Sequence, residues 1–156
     1  MLNMFSGVGC FSIIIAKRSP KVHVYSIDLN PEAVKYHLRN VRLNKVRGVV
    51  TAIFGDARRI IESLLRGYAD RVLMPLPEKA YECLDAAVAA IHPDGGVIHY
   101  YDFAHAYKNE DPVGKTISKV TEKLHDQSRS FSVQYGRVVR TVGPNWYQVV
   151  IDIKIE

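Results

Sequence analysis

The stretch MLNMFSGVGCFSI, residues 1–13, decides how the chain is read. An apolar lead-in meets Gly7 and Gly9, and a second apolar run follows at once. Glycines at such a bend let the backbone turn tightly and approach a ligand with no Cβ in the way. A helix starting there aims its free N–H groups at that ligand. A full dinucleotide fingerprint has the form G-x-G-x-x-G. Here Ser12 stands at the third glycine position, so the pair taken alone leaves a structural tight turn open.

Working outward, short apolar runs alternate with amphipathic ones. LNMF (2–5) is a strand remnant, and GCFSIIIAKR (9–18) is a helix with basic residues in its last turn. KVHVYSID (21–28) alternates as a strand does. Asn30 and Pro31 suit the cap and first position of a helix over 31–44, with Ala33, Val34, His37, Leu38 and Val41 at helical spacing. GVVTAIFGD (48–56) predicts a third strand, ARRIIESLLRGY (57–68) a third helix and ADRVLM (69–74) a fourth strand. One helix is expected over 78–96, stopped by Pro93, Gly95 and Gly96, and a fifth strand over 96–103. Residues 104–114 are the longest candidate loop, and 104–116 the one segment that could cover a site. A helix over 113–127 comes next. Two final strand-like runs, 129–142 and 145–155, are too close for a crossover helix, so they predict an antiparallel hairpin. The whole is an α/β chain: a mostly parallel seven-stranded sheet with helices on both faces, in one domain spanning residues 1–156.

Composition narrows the function classes. Hydrophobic residues make up 47% of the 156 residues, enough for a real core. No apolar run approaches the roughly 20 residues that cross a membrane, and no leader opens the chain. Two cysteines in unrelated contexts, Cys10 and Cys83, suit a reducing cytoplasm better than a disulfide framework. The six histidines are scattered without metal-ligand spacing. A net charge of +5 permits an anionic partner such as RNA.

Four strand ends carry candidate chemistry. The first is the glycine turn. The second is Asp28, at the end of strand two, where a carboxylate in nucleotide-binding sheets accepts from ribose hydroxyls. Alone it would be a helix cap; paired with the glycine turn, ribose binding is the better reading. The third is Asp56-Ala57, after strand three, beside the expected base, where Asp56 also suits the cap of the next helix. The fourth is Met74-Pro75-Leu76-Pro77, a stiff wall at the carboxyl edge of the sheet.

In this order the residues resemble the class I S-adenosylmethionine-dependent methyltransferases. More narrowly, they resemble the tRNA guanine-37 N1-methyltransferases and their wybutosine-pathway relatives. NMFSGVGCFSI, YSIDLNPEAVKYHLRNVRLNKV, GDAR, DRVLMPLPEKAYECLDAA, GGVIHYYDF and GRVVRTVGPNWYQVVIDIKI carry the likeness along essentially the whole chain. The resemblance implies a Rossmann-like class I methyltransferase fold, S-adenosylmethionine as cofactor and tRNA as partner. It places Phe5, Ser6, Gly7 and Gly9 around the methionine part and Asp28 and Leu29 at ribose and adenine. Asp56 and Ala57 fall at the adenine edge, and Pro75, Leu76 and Pro77 on the methyl side.

The chain departs from the family pattern in three ways. Pro75 replaces an asparagine, which suggests a different base or the aminocarboxypropyl-transferring relative. Asn3 replaces an aspartate. The RNA-recognition domain, catalytic arginine and general-base carboxylate of relatives are expected upstream of Met1. No catalytic residue is therefore assigned: Glu78 and Tyr101 stand near suitable strand ends but are better read as a surface carboxylate and a packed tyrosine. Arg39 and Arg42 on the second helix, Lys45 and Arg47 just beyond it, and Arg137 and Arg140 late in the chain are candidate RNA contacts. Two other functions compete. A nicotinamide-dependent oxidoreductase is disfavoured by Ser12 and the hairpin. A non-catalytic cofactor-binding module needing a partner chain is favoured by the short first strand, Asn3 and Pro75.

Overall fold

The computed structural model describes residues 1–19, 21–125 and 127–156. They form one seven-stranded sheet in the order β3-β2-β1-β4-β5-β7-β6. The strands are β1 (Leu2–Asn3), β2 (Val24–Asp28), β3 (Val50–Phe54), β4 (Arg71–Met74), β5 (Gly96–His105), β6 (Phe131–Gly143) and β7 (Trp146–Ile155). The first five are parallel, and β7 runs antiparallel to both β5 and β6. The order reverses between β1 and β4. The crevice outside the carboxyl ends of those strands is where ligands bind in such sheets.

The helices start where the sequence supplies caps. α1 (Cys10–Arg18) follows Gly9, whose φ of 92° turns the chain out of β1. α2 (Pro31–Leu43) is capped by Asn30, whose side-chain oxygen accepts from the N–H groups of Glu32 and Ala33, with Pro31 in the first turn. α3 (Ala57–Ile60) is capped by Asp56 and passes into a π-helical turn at Ile61–Leu65. There the Ser63 hydroxyl donates to the Arg59 carbonyl at 2.8 Å.

The single helix expected over 78–96 is two short ones, α4 (Pro77–Ala80) and α5 (Leu84–Ala90). Between them the Cys83 N–H is shared between the carbonyls of Lys79 and Ala80. The expected loop at 104–114 is also shorter. β5 runs on to His105 because Phe103, Ala104 and His105 find partners in Gln148, Tyr147 and Trp146 of β7. α6 (Pro112–His125) then begins almost at once. The hairpin turns in two residues, Pro144 and Asn145, with Asn145 at φ 59°.

The larger core lies between the sheet and α3–α6, built on Leu2, Ile27, Met74, Leu84, Ile98, Tyr100, Leu124 and Ile151. A smaller one under α1 and α2 joins Ile13, Ala16, Val24, Val41 and Val50. Asn3 belongs to the α1 side. Its Nδ2 donates to Ser12 Oγ at 3.1 Å, and Ser26 Oγ donates to the same oxygen at 2.8 Å, all three residues buried. The amide supplies a donor here that a carboxylate could not.

Under α6, Asp102 is a buried carboxylate. It accepts from Lys119 Nζ at 2.7 Å, Tyr100 OH at 3.2 Å and the Phe103 N–H at 2.9 Å. Burial, with Asp102 beside it, pushes the Tyr100 hydroxyl well above the usual tyrosine range. Removing the cation strands a buried charge, whereas neutralising the carboxylate leaves Lys119 free to turn to solvent. Lys119→Met is expected to cost about 2–4 kcal/mol, more than Asp102→Asn at about 1–2 kcal/mol, measured by urea denaturation.

Candidate functional site

The site is built from the carboxyl ends of β1, β2, β3 and β4. The Gly7 N–H donates to Asp28 Oδ2 at 2.6 Å, and the Asn30 N–H to Oδ1 at 2.9 Å. A carboxylate has about four acceptor positions. One donor on each oxygen leaves each with a lone pair to offer, a match for two neighbouring hydroxyls. The main chain ties the same corner together. Ser6 N–H donates to the Ile27 carbonyl at 2.8 Å and Gly55 N–H to the Asp28 carbonyl at 3.0 Å. Asp56 spends Oδ1 on the Arg59 N–H at 3.1 Å, in its capping role.

A cavity of about 410 Å³ opens between these ends, lined by Met4, Phe5, Asp28, Leu29, Gly55, Asp56, Ala57, Arg58, Leu76, Lys79, Glu82 and Cys83. Its size is that of a small-molecule site. Both cations in its lining are already paired, Arg58 with Asp85 at 2.8 Å and Lys79 with Glu82 at 3.0 Å. Asp28 and Asp56 have no cationic partner among the described residues. Such a lining suits a ligand rich in hydroxyl and amino groups. Leu29 is 66% exposed at the mouth, with Leu76 and Phe5 completing an apolar surface for a flat ring.

Of the residues expected at the site, Phe5, Asp28, Leu29, Asp56, Ala57 and Leu76 line this cavity. Gly7 reaches it through Asp28. Ser6 is buried behind the loop, Gly9 starts α1, Pro75 is half-buried in the wall, and Pro77 is buried in the first turn of α4. Arg58, Lys79, Glu82 and Cys83 were not foreseen, although Lys79, Glu82 and Cys83 share one helical face by spacing. Burial pushes the Cys83 thiol up.

The other candidates lie elsewhere. Arg39, Arg42, Lys45 and Arg47 are all exposed. α2 leaves the ligand edge at Pro31 and descends about 20 Å at 1.5 Å per residue, carrying Arg42, Lys45 and Arg47 toward the opposite edge. Arg137 and Arg140 stand exposed on β6, with Arg140 Nε donating to Gln148 Oε1 at 2.8 Å. Glu78 is exposed, and Tyr101 is half-buried with its hydroxyl pushed up by burial. Tyr101 and Arg137 line a separate hollow of about 490 Å³ with Arg71, His99 and Asp152. That hollow lies beside α1, toward the amino ends of β1 and β4, away from the carboxyl ends that carry the cavity.

The turn itself is held from beneath by α2. Asn40 Nδ2 donates to the Val8 carbonyl at 2.9 Å, and Ser6 Oγ lies 3.3 Å from His37 Nδ1. His37 had registered only as a core-facing position.

Comparison with known proteins fits this geometry. The TRM5/TYW2 methyltransferase domain family matches residues 1–130. The chain belongs to this family. It is 39% identical over 155 residues to the tRNA (guanine(37)-N(1))-methyltransferase Trm5b of Pyrococcus abyssi, covering 99% of this chain and 43% of that protein. It is 42% identical over 154 residues to the tRNA 4-demethylwyosine(37)-methyltransferase Taw21 of Saccharolobus solfataricus, covering 99% of this chain and 53% of that one. Among solved structures, the Methanocaldococcus jannaschii TYW2 complex with AdoMet superposes with a TM-score of 0.81 at 29% identity, over 99% of this chain and 67% of that chain. The chain thus spans about half the length of the curated relatives it matches.

The two glycines of the family's turn should respond differently to a methyl group. A Cβ at Gly7, φ 53°, meets nothing within 4 Å, whereas one at Gly9, φ 92°, would sit 2.2 Å from the His37 ring. Gly7→Ala is expected to cost about 1–2 kcal/mol, the left-handed penalty alone. Gly9→Ala should cost about 3 kcal/mol or more, because strain and overlap add. Chemical denaturation of the two variants checks the order.

Proposed function

We propose that this chain binds S-adenosylmethionine at the 410 Å³ cavity and transfers its methyl group to a tRNA base, guanine N1 beside the anticodon. The observation that carries the reading is the Asp28 carboxylate, joined to the glycine turn at 2.6 Å with an acceptor position free on each oxygen, in a chain of this family. The fit is chemical. Asp28 would take the ribose hydroxyls, Leu29 and Leu76 would flank the adenine, and Asp56 would take its amino edge. Gly7 leaves open space where the methionine part approaches the turn.

When bound, S-adenosylmethionine supplies a carbon already activated by its sulfonium. The protein's work is therefore to position the base and let its proton leave. Asp28 and Asp56 fix the donor end. The Pro75-Leu76-Pro77 wall narrows the acceptor side and excludes water there without offering a side-chain hydrogen bond. Residues 1–156 act in this reading as one cofactor-binding domain. Arg137 and Arg140 are its candidate phosphate contacts. A cytoplasmic location accords with the tRNA substrate and with two free cysteines. Among the described residues, no helix is long and apolar enough to cross a membrane.

A second reading, transfer of the aminocarboxypropyl group of the same cofactor, is favoured by Pro75, which replaces the family's asparagine with a residue that has no donor. One assay separates the two. The chain is incubated with unmodified and with 4-demethylwyosine-bearing tRNA, using cofactor labelled either in the methyl group or in the carboxyl carbon. Methyl label alone entering the guanine-bearing tRNA supports the main reading. Carboxyl label entering tRNA overturns it in favour of the second, and no transfer leaves a binding module that needs a partner chain. Calorimetry is expected to show S-adenosylmethionine bound and NADH not. Asp28→Ala should weaken that binding at least about 30-fold, the loss of two charge-assisted hydrogen bonds.

A further inference from the structure

Beyond Asn3 the sheet holds the chain through the N–H groups of Met4 and Ser6, which donate to the Leu73 and Ile27 carbonyls at 3.0 and 2.8 Å. From Ser6 to Gly9 the turn is also supported by α2. His37 lies beneath the turn, fully buried, with Ser6 Oγ 3.3 Å from Nδ1 and the ring filling the space where a Gly9 Cβ would stand. Three residues on, Asn40 donates its side-chain N–H to the Val8 carbonyl at 2.9 Å. Positions 37 and 40 share a helix face. Ser6, Val8 and Gly9 are therefore each touched by one of two α2 side chains, and Asp28 takes Gly7.

His37 Nε2 is buried without a hydrogen-bond partner. A neutral imidazole leaves this nitrogen unpaired in either tautomer. An imidazolium would bury a second N–H, and its charge, against Gly9.

We propose that His37 and Asn40 are positioning residues that template the glycine turn for the cofactor, and that the template works only while His37 is neutral. The proposal rests on the cofactor reading above. Burial holds the His37 ring below the usual histidine range; Asp28, at the end of β2, is the charged group acting on it and pulls the other way. Ser6 and Gly9 of the turn and Asn40 of α2 are uncharged. The sign follows. The unfolded or opened turn takes up a proton near the ordinary histidine value of about 6.5, while the closed turn resists it. Closure is therefore fully available above that value and weakens as the pH falls below it.

The test uses the full chain, with S-adenosylmethionine affinity measured from pH 8 down to pH 5 and amide hydrogen exchange followed at Gly7 and Gly9. His37→Leu fills the space without a polar atom and is expected to weaken binding about tenfold at pH 8, a lost hydrogen bond's worth. It should also speed exchange at both glycines and abolish the affinity step below pH 6.5. His37→Gln, which can still reach Ser6 Oγ, should recover part of the affinity but not the pH step. Asn40→Ala, at a half-buried position, should speed exchange while keeping the pH step, and serves if His37→Leu fails to fold. Wild-type affinity and exchange in His37→Leu would overturn the proposal. If the wild type bound no S-adenosylmethionine at any pH, the cofactor reading would fall. The exchange rates would then still decide whether α2 templates the turn.

Discussion

The structure turns on one short contact, the Gly7 N–H to the Asp28 carboxylate at 2.6 Å. It joins residues 21 positions apart in the chain, and only the parallel pairing of β1 with β2 brings them together. The carboxylate fastens the turn to the end of β2. Its second oxygen holds the Asn30 N–H, and Asn30 in turn caps α2. A single side chain thus fixes the turn, starts the helix that supports the turn from below, and keeps acceptor positions for a ligand.

That economy is why the cavity at the strand ends, and not the larger hollow, is proposed as the cofactor site. The 490 Å³ hollow has its own polar chain, with Arg71 Nη1 at 3.1 Å from His99 Nε2 and His99 Nδ1 at 2.7 Å from Asp152. An arginine can only donate, so His99 Nε2 accepts and Nδ1–H donates to Asp152. In that chain the Asp152 carboxylate is matched, through His99, to the Arg71 cation. In the 410 Å³ cavity the cations pair with Asp85 and Glu82, while Asp28 and Asp56 face no cation among the described residues and retain free acceptor positions. Carboxylates left without a cation, more than volume, distinguish this proposed ligand site from the hollow.

Much of this was legible in the sequence because it depends on local rules. Glycine at a turn, Asn-Pro at a helix start and alternation in strands announce themselves over a few residues. The order of glycine turn, Asp28, Asp56 and proline wall then fixes the edge of the sheet on which the site must lie. What the sequence hid depends on tertiary contacts. The split of α4 from α5, where the Cys83 N–H is shared between the Lys79 and Ala80 carbonyls, is marked by no proline or glycine. β5 outran its expected end because β7 offered it partners, which no property of residues 104–105 alone reveals. His37 looked like one more core position, and only the missing Cβ of Gly9 above it shows what the ring is for. Nothing in the sequence around Lys119 announces its pairing with the buried Asp102.

The departures from the family pattern divide along the same line. Asn3 sits behind the turn, where its amide completes a buried network with Ser12 and Ser26. Its change from a carboxylate is answered inside the protein, while its Oδ1 accepts from the N–H of Phe5, a cavity-lining residue, at 3.4 Å. Pro75 is different. It stands in the wall beside Leu76, where no internal partner compensates for the lost donor, so its consequence falls on whatever occupies the acceptor side. The donor half of the site is over-determined: each residue of the turn is held by a separate contact, and a substitution there must break one of them. The acceptor half is bounded by a rigid but chemically plain wall. In the proposed reading, a cavity built this way keeps its cofactor while the base it serves is free to change.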